Sequence, residues 1–211
     1  MNIHTILFDL DGTLIDTNEL IIESFMHTFD YYGKDLSREE AIEFIGPPLR
    51  ETFQQVAPDQ VDALVDIYRQ HNQRHHDDYV KAFPNVAETL AELQKRQIQL
   101  GVVTSKMRGT ANMGLRTTGL DDYFEMVITL DDVTHAKPHP EPIIKAIKAL
   151  DANADTTLMV GDNSHDIEAG HHAGVKTAGV AWSLKGREKL LTYKPSYMLD
   201  DMLDLLEITG V

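Results

Sequence analysis

The chain has 211 residues, no cysteine, and 34 acidic against 19 basic side chains, a formal net charge of −15. Its 42% apolar and 25% charged content excludes wholesale disorder and, at this length, fits one large domain or one and a half. The acidic balance excludes duplex nucleic acid as the main partner, because phosphate backbones are bound by excess Lys and Arg. The lack of cysteine excludes a disulfide framework, a thiolate metal site and a cysteine nucleophile.

No run approaches the ~20 apolar residues of a membrane span. The opening Met1-Asn2-Ile3-His4-Thr5 has neither a basic n-region nor a long apolar h-region, so a cytoplasmic chain with no membrane partner is expected. Residues 3–8 are short, apolar and β-prone and stop at Asp9, with Asp11-Gly12 close behind: a buried strand running into a turn. Residues 19–31, 38–44, 49–56 and 59–79 read as helices with no strand between them, punctuated by Gly33, Gly46-Pro47-Pro48 and Pro58. From there strand and helix alternate. Strands are expected over 98–103, 126–130, 157–160, 175–180 and 197–199, and helices over 86–97, 107–117, 141–150 and 167–173. Such alternation implies an α/β fold with a doubly wound parallel sheet. An all-helical block then interrupts the α/β core after its first strand. The expected division is a core of residues 1–15 and 82–211 and a helical cap of residues 16–81, with hinges near 14–16 and 82–84.

In open α/β sheets ligands bind outside the carboxyl ends of the strands. The side chains delivered there are few and coherent. The first strand brings Asp9-Leu10-Asp11-Gly12-Thr13 and the second Thr104. The loop after the third brings Lys137-Pro138, and the fourth brings Gly161-Asp162-Asn163-Ser164-His165-Asp166. A carboxylate is ionised at pH 7 and is a usable nucleophile. Its attack on an anionic phosphoryl group needs charge screening, hence Mg²⁺ and a lysine. Mg²⁺ takes oxygen ligands and keeps several waters, so one or two carboxylates suffice. Asp9 is the expected nucleophile and metal ligand, and Gly12 the residue that permits a tight turn bringing backbone N–H groups to the phosphate.

Asp9-x-Asp11-Gly12-Thr13 after an N-terminal apolar strand resembles the first motif of the haloacid dehalogenase superfamily of phosphotransferases. Thr104 matches its second motif, Lys137 its third, and Gly161-Asp162 with Asp166 its fourth. The helical block lies where that family carries its cap, so the resemblance spans the whole chain. It implies a Rossmann-like core with an inserted helical-bundle cap, and an aspartyl-phosphate intermediate. It also implies that Asp11 donates a proton to the leaving group, then activates water, while its backbone carbonyl faces the metal. Thr104 and Lys137 would hold the phosphoryl oxygens, with Gly12, Thr13 and Ser105 beside them. Asp162 would ligate Mg²⁺, with Asp166 behind it.

For the substrate, four tracts (residues 44–49, 129–133, 136–142 and 179–186), together with Asp16-Thr17-Asn18-Glu19-Leu20, resemble a bacterial pyrophosphatase branch of the family. That branch is linked to the pyrophosphate released when the serine-phosphorylated carrier HPr is dephosphorylated. His139 departs from the aspartate expected between two prolines. Phosphoglycolate phosphatases share the cap type and are the alternative. A sugar-phosphate mutase and a non-catalytic binding module on the same fold are further from the motifs. Pyrophosphate carries a distal charge that the core motifs leave unmatched. Arg50 and Lys106 are the candidates to face it, against a reading of each as a solvated surface charge. The chain is expected to be a monomer or weak homodimer.

Other polar clusters have plain readings. His71, His75 and neighbouring His76 suit a solvated cap face better than a metal, for want of a third ligand. His171-His172 complement a helix C-terminus. Asp121-Asp122, Asp131-Asp132 and Asp200-Asp201 read as turns and caps, and Trp182 as a packing residue.

Overall fold

The structure, a computed structural model, describes residues 3–210. Its elements in chain order are β1 (Thr5–Phe8), β2 (Ile15–Asp16), α1 (Asn18–Tyr31), α2 (Arg38–Glu43), α3 (Leu49–Val56), α4 (Val61–Tyr79), β3 (Lys81–Ala82), α5 (Val86–Lys95), β4 (Gln99–Val103), α6 (Arg108–Thr117), β5 (Met126–Ile128), α7 (Glu141–Ala149), β6 (Thr157–Gly161), α8 (Ser164–Ala173), β7 (Lys176–Val180), α9 (Arg187–Leu191), β8 (Tyr197–Leu199) and α10 (Asp204–Ile208). Six strands form one parallel sheet in the order β5-β4-β1-β6-β7-β8. From β1 the chain winds outward through β4 and β5, then returns to the other side for β6, β7 and β8. The strand order therefore reverses between β1 and β6, and a crevice opens at their carboxyl ends.

Because β1 is covered on both faces, its residues are apolar in succession rather than in alternation. Ile6 and Phe8 pack with Val102 and Val160 against Leu90 of α5 and Leu115 of α6. Leu7 faces the opposite side, with Met159 of β6 and Ile143 of α7. The helices α1–α4 have an apolar core of their own, built from Phe25 and Phe29 of α1, Phe53 of α3, and Leu64 and Val65 of α4. Among the described residues no helix is long and apolar enough to cross a membrane.

Local chemistry shifts several boundaries. The helix expected from 167 starts at Ser164, because Asn163 caps it: its Oδ1 accepts the His165 N–H while Asp166 accepts the Asn163 N–H. The strand expected over 126–130 stops at Ile128, where Thr129 and Asp132 form a capping box over a 3-10 turn. Residues 58–60 form a separate 3-10 turn ahead of α4. The two segments expected as hinges hold β2 and β3, a two-residue antiparallel ribbon extended by Phe83 N–H donating to the Leu14 carbonyl at 3.0 Å.

His76 departs from the solvated face expected of it. It is buried where α4 meets α6, with Nδ1 2.9 Å from Asp77 Oδ1, since the helical block folds back on the core there. His71 and His75 do lie together, with His71 stacked on His27 at 4.5 Å. Trp182 packs on Phe83 at 5.9 Å.

Candidate active site

Asp9 and Asp162 leave β1 and β6 at the two lips of the crevice, coupled by Asp9 N–H donating to Val160 O at 2.9 Å. Carboxylate oxygens of Asp9, Asp162 and Asp166 lie within 4.8 Å of one another. Lys137 joins them: its Nζ donates to Asp166 Oδ1 at 2.6 Å, to Asp9 Oδ1 at 2.9 Å and to the Val103 carbonyl at 2.9 Å. All three of its protons are thus directed to protein oxygens. Burial pushes the Asp9 carboxyl up to about 7, with Lys137 pulling it down and Asp166 pushing it further up. Burial, then the charges of Asp9 and Asp166, hold Asp162 well above the usual carboxylate range. Burial alone would depress Lys137, but Asp166 and Asp9 reverse this and raise it. Three buried carboxylates against one ammonium, with only oxygen donors, fit a hard divalent cation. Asp166 already has both oxygens engaged, by Lys137 and by the Asn163 N–H, which leaves Asp9 and Asp162 as the freer donors.

Asp11 stands apart from this cluster. Its Oδ1 accepts from Thr17 Oγ1 at 2.7 Å and from Lys106 Nζ at 2.6 Å. Lys106 is therefore no solvated charge; its side chain is 12% exposed. Gly12 has φ +76°, and a Cβ there would meet Asp162 Oδ2 at 2.5 Å, so glycine is required for close approach as well as for the turn. Its N–H donates to the Ile15 carbonyl at 2.9 Å and is not offered to a phosphate. Thr13, expected beside the substrate, is buried with its hydroxyl on Asp162 Oδ1 at 3.4 Å. Thr104 is buried at the end of β4, and its hydroxyl accepts the Lys106 N–H at 3.2 Å.

A cavity of about 740 Å³ lies between this edge and the helical block. Asp9, Asp11, Thr104, Ser105, Lys106 and Asp162 line it from the core. Gly12, Thr13, Lys137 and Asp166 do not line it; Lys137 and Asp166 act on the site through Asp9 and Asp162. Arg50 reaches the cavity rim, but its guanidinium is paired with Asp62 and largely exposed. Tyr68, Arg69 and Asn72 of α4, absent from the sequence-based set, also line it. Tyr68 is held far above the usual phenol range by burial and by the charge of Asp11. Asn163 Nδ2 donates to the Ile45 carbonyl at 3.0 Å, where Gly46, at φ +118°, allows the helical block's loop to close on it.

Residues 6–180 match the family model described as haloacid dehalogenase-like hydrolase. The chain belongs to this family. It is similar over its whole length to the pyrophosphatase PpaX of Anoxybacillus flavithermus, at 59% identity over 212 residues, covering 100% of this chain and 99% of that one. Among solved structures it is similar to a haloacid dehalogenase-like family hydrolase from Streptococcus pneumoniae (TM-score 0.87, 26% identity, 98% of both chains covered). It is also similar to a predicted phosphoglycolate phosphatase from Haemophilus somnus (TM-score 0.86, 26% identity, 100% of this chain and 99% of the other).

Proposed function

We propose that this chain hydrolyses inorganic pyrophosphate to phosphate with Mg²⁺, through phosphoryl transfer to Asp9. The observation that carries the reading is the position of Asp9. Within the acidic cluster, Asp9 both accepts from Lys137 and lines the cavity, whereas Asp162 lines the cavity without a bond to Lys137 and Asp166 touches Lys137 without lining the cavity. The similarity to a pyrophosphatase over the full chain supports the choice of substrate. Mg²⁺ bound by Asp9 and Asp162, with the Asp11 carbonyl, would supply charge neutralisation for the phosphoryl oxygens.

The chain's own residues do the rest. An Asp9 oxygen forms a bond to phosphorus, and the bond from phosphorus to the leaving phosphate oxygen breaks with its electron pair. Asp11, held in place by Thr17 and Lys106, protonates that oxygen. Asp11 then takes a proton from water as the water oxygen attacks the aspartyl-phosphate, returning Asp9 and releasing phosphate. Thr104 and Lys106 steady the phosphoryl oxygens, while Lys137 and Asp166 keep Asp9 oriented. Residues 16–81 serve as a lid that excludes water. In the cell the reaction would clear pyrophosphate released on HPr(Ser) dephosphorylation in the cytoplasm, by a monomer or weak homodimer.

Phosphoglycolate is the second reading, favoured by the Haemophilus somnus neighbour. Purified protein with Mg²⁺, assayed for phosphate release from each compound, decides between them. Higher kcat/KM on pyrophosphate is expected; preference for phosphoglycolate overturns the assignment.

A further inference from the structure

A second and smaller recess lies outside the crevice, where the end of α2 and its following loop meet the start of α8 and the segment around α9. It has a volume of about 220 Å³, and its polar walls are Glu43, Ser164, His165, Lys185, Lys189 and Tyr193. Ile45, Pro47 and Asn163 line both this recess and the larger cavity and so divide the two. The volume is below the roughly 300–1,000 Å³ of pockets that enclose drug-sized organic ligands. It suits a small ion with some of its water.

Lys185 is the unusual group in this recess. Its side chain is only 10% exposed, yet the nearest carboxylate oxygen, Glu43 Oε2, is 3.6 Å from its Nζ, too far for a good hydrogen bond. Burial holds the ammonium below the usual lysine range, with Glu43 opposing. A desolvated ammonium has three protons to place, and this contact places none of them well. Glu43 is a loose partner: its side chain is 61% exposed at the end of the six-residue α2, and it is shared with Lys189 at 3.2 Å. Of the other acids nearby, Asp166 is spent on Lys137 and the Asn163 N–H, and Asp162 lines the crevice. On the same wall His165 Nδ1 is buried without a partner, and no described residue hydrogen-bonds the Tyr193 hydroxyl. Two ammonium groups against one carboxylate, with hydrogen-bonding capacity left over, match a ligand that is anionic and carries several acceptor oxygens.

We propose that this recess binds inorganic phosphate between Lys185 and Lys189, and that the bound anion displaces Glu43 and so releases one of the contacts fastening the helical block to the core. A tetrahedral oxyanion accepts from both ammonium groups at once, with oxygens left for Tyr193, whereas the Glu43 carboxylate meets them at 3.2 and 3.6 Å. Chloride, a single atom, does not bridge the same donors. Because phosphate and Glu43 compete for the same lysines, the coupling is reciprocal: phosphate loosens the block at this flank, and a block without Glu43's charge takes phosphate more tightly. The site is separate from Asp9 and does not depend on which compound is hydrolysed there.

Titration of the full chain with inorganic phosphate in excess chelator, followed by backbone amide chemical shifts, tests this without any turnover. Sodium chloride at matched ionic strength is the control for screening. Amides of residues 164–165 and 185–193 should shift and saturate with a Kd of about 10 mM or tighter, and chloride should not reproduce the effect. Shifts confined to residues 9–13 and 104–106, which report on the crevice, or shifts that chloride matches, overturn the proposal. Lys185→Gln should weaken binding at the recess by about tenfold or more and leave the crevice shifts as they are. Glu43→Gln should act in the opposite direction and tighten phosphate by about threefold or more, since it removes the competitor at an exposed position. Unchanged affinity in a folded Lys185→Gln overturns the site, and if that variant does not fold, unchanged or weaker affinity in Glu43→Gln does so alone. Amide exchange over residues 43–46 should quicken in wild type when phosphate is added in chelator. Exchange there that phosphate leaves unaltered overturns the displacement of Glu43.

Discussion

In the proposed reaction Asp9 has to be ionised to attack phosphorus, yet it sits where ionisation is resisted. Burial and Asp166 outweigh Lys137 and push its carboxyl from 3.8 to about 7. Between about pH 4 and pH 7 the folded, metal-free protein therefore holds a proton that the unfolded chain has lost, and stability falls as pH rises through that window. Asp9→Asn removes the nucleophile and the conflict together. It should abolish turnover and, in chelator at pH 8, make the protein more stable by roughly 2–4 kcal/mol, a difference that vanishes toward pH 4. Urea unfolding at the two pH values checks this; an Asn variant less stable than wild type at pH 8 refutes it. Gly12→Ala brings a Cβ within 2.5 Å of Asp162 Oδ2 at a positive φ. It should cost about 1–2 kcal/mol and weaken Mg²⁺ binding, measurable by calorimetry; unaltered Mg²⁺ affinity would remove the close approach from the metal argument. Among the cations, Lys106 touches Asp11 whereas Arg50 is paired with Asp62 at the rim. Lys106→Ala should lower kcat on pyrophosphate by about tenfold or more and Arg50→Ala by much less. The reverse order would return the distal charge to Arg50.

At the scale of elements, β1 is legible because a strand buried on both faces must be apolar throughout, and the motif that follows it sits where the chain has to turn. The strand-end residues Asp9, Thr104, Lys137 and Asp162 follow from that logic, since the sheet carries them to one edge. Other features depend on contacts that no local pattern encodes. Apolar periodicity starts at Ile167 and misses the first turn of α8, which exists because Asn163 and Asp166 cap each other. Tyr68, Arg69 and Asn72 are ordinary polar positions along α4, and only the way the helical block docks places them on the cavity wall. Arg50 is close to the right loop in sequence, but Asp62, twelve residues on, occupies its guanidinium. The docking itself is testable. The ribbon of β2 and β3 joins the helical block to the core through two residues on each side, too short to resist opening by itself. Amide exchange over residues 14–16 and 82–84 should slow when Mg²⁺ and a phosphate analogue bind, and Glu43→Gln, which releases Lys185 and Lys189, should speed it in the free protein. Exchange unaffected by either change would mean the lid does not move there.

The whole molecule carries a formal charge of −15 and concentrates part of its negative charge in a buried cluster that one lysine does not neutralise. A divalent cation bound there favours the folded state alone, because the unfolded chain does not bring Asp9 and Asp162 together. Its effect follows mass action: about 2.7 kcal/mol at a concentration a hundredfold above Kd, or roughly 5–10 °C in Tm for a chain of this size. Sodium chloride at matched ionic strength is the necessary control, since screening a −15 surface also favours the compact state. Mg²⁺ should raise Tm well beyond that control in wild type and not in Asp162→Asn, whose amide leaves only one free carboxylate at the crevice. Ca²⁺ should raise Tm as well, because it also takes carboxylate oxygens, but should inhibit turnover, since its looser and higher coordination does not hold the phosphoryl group for in-line attack by Asp9. A Tm shift in Asp162→Asn equal to that of wild type would move the cation away from the strand ends, and full activity in excess chelator would remove it from the reaction.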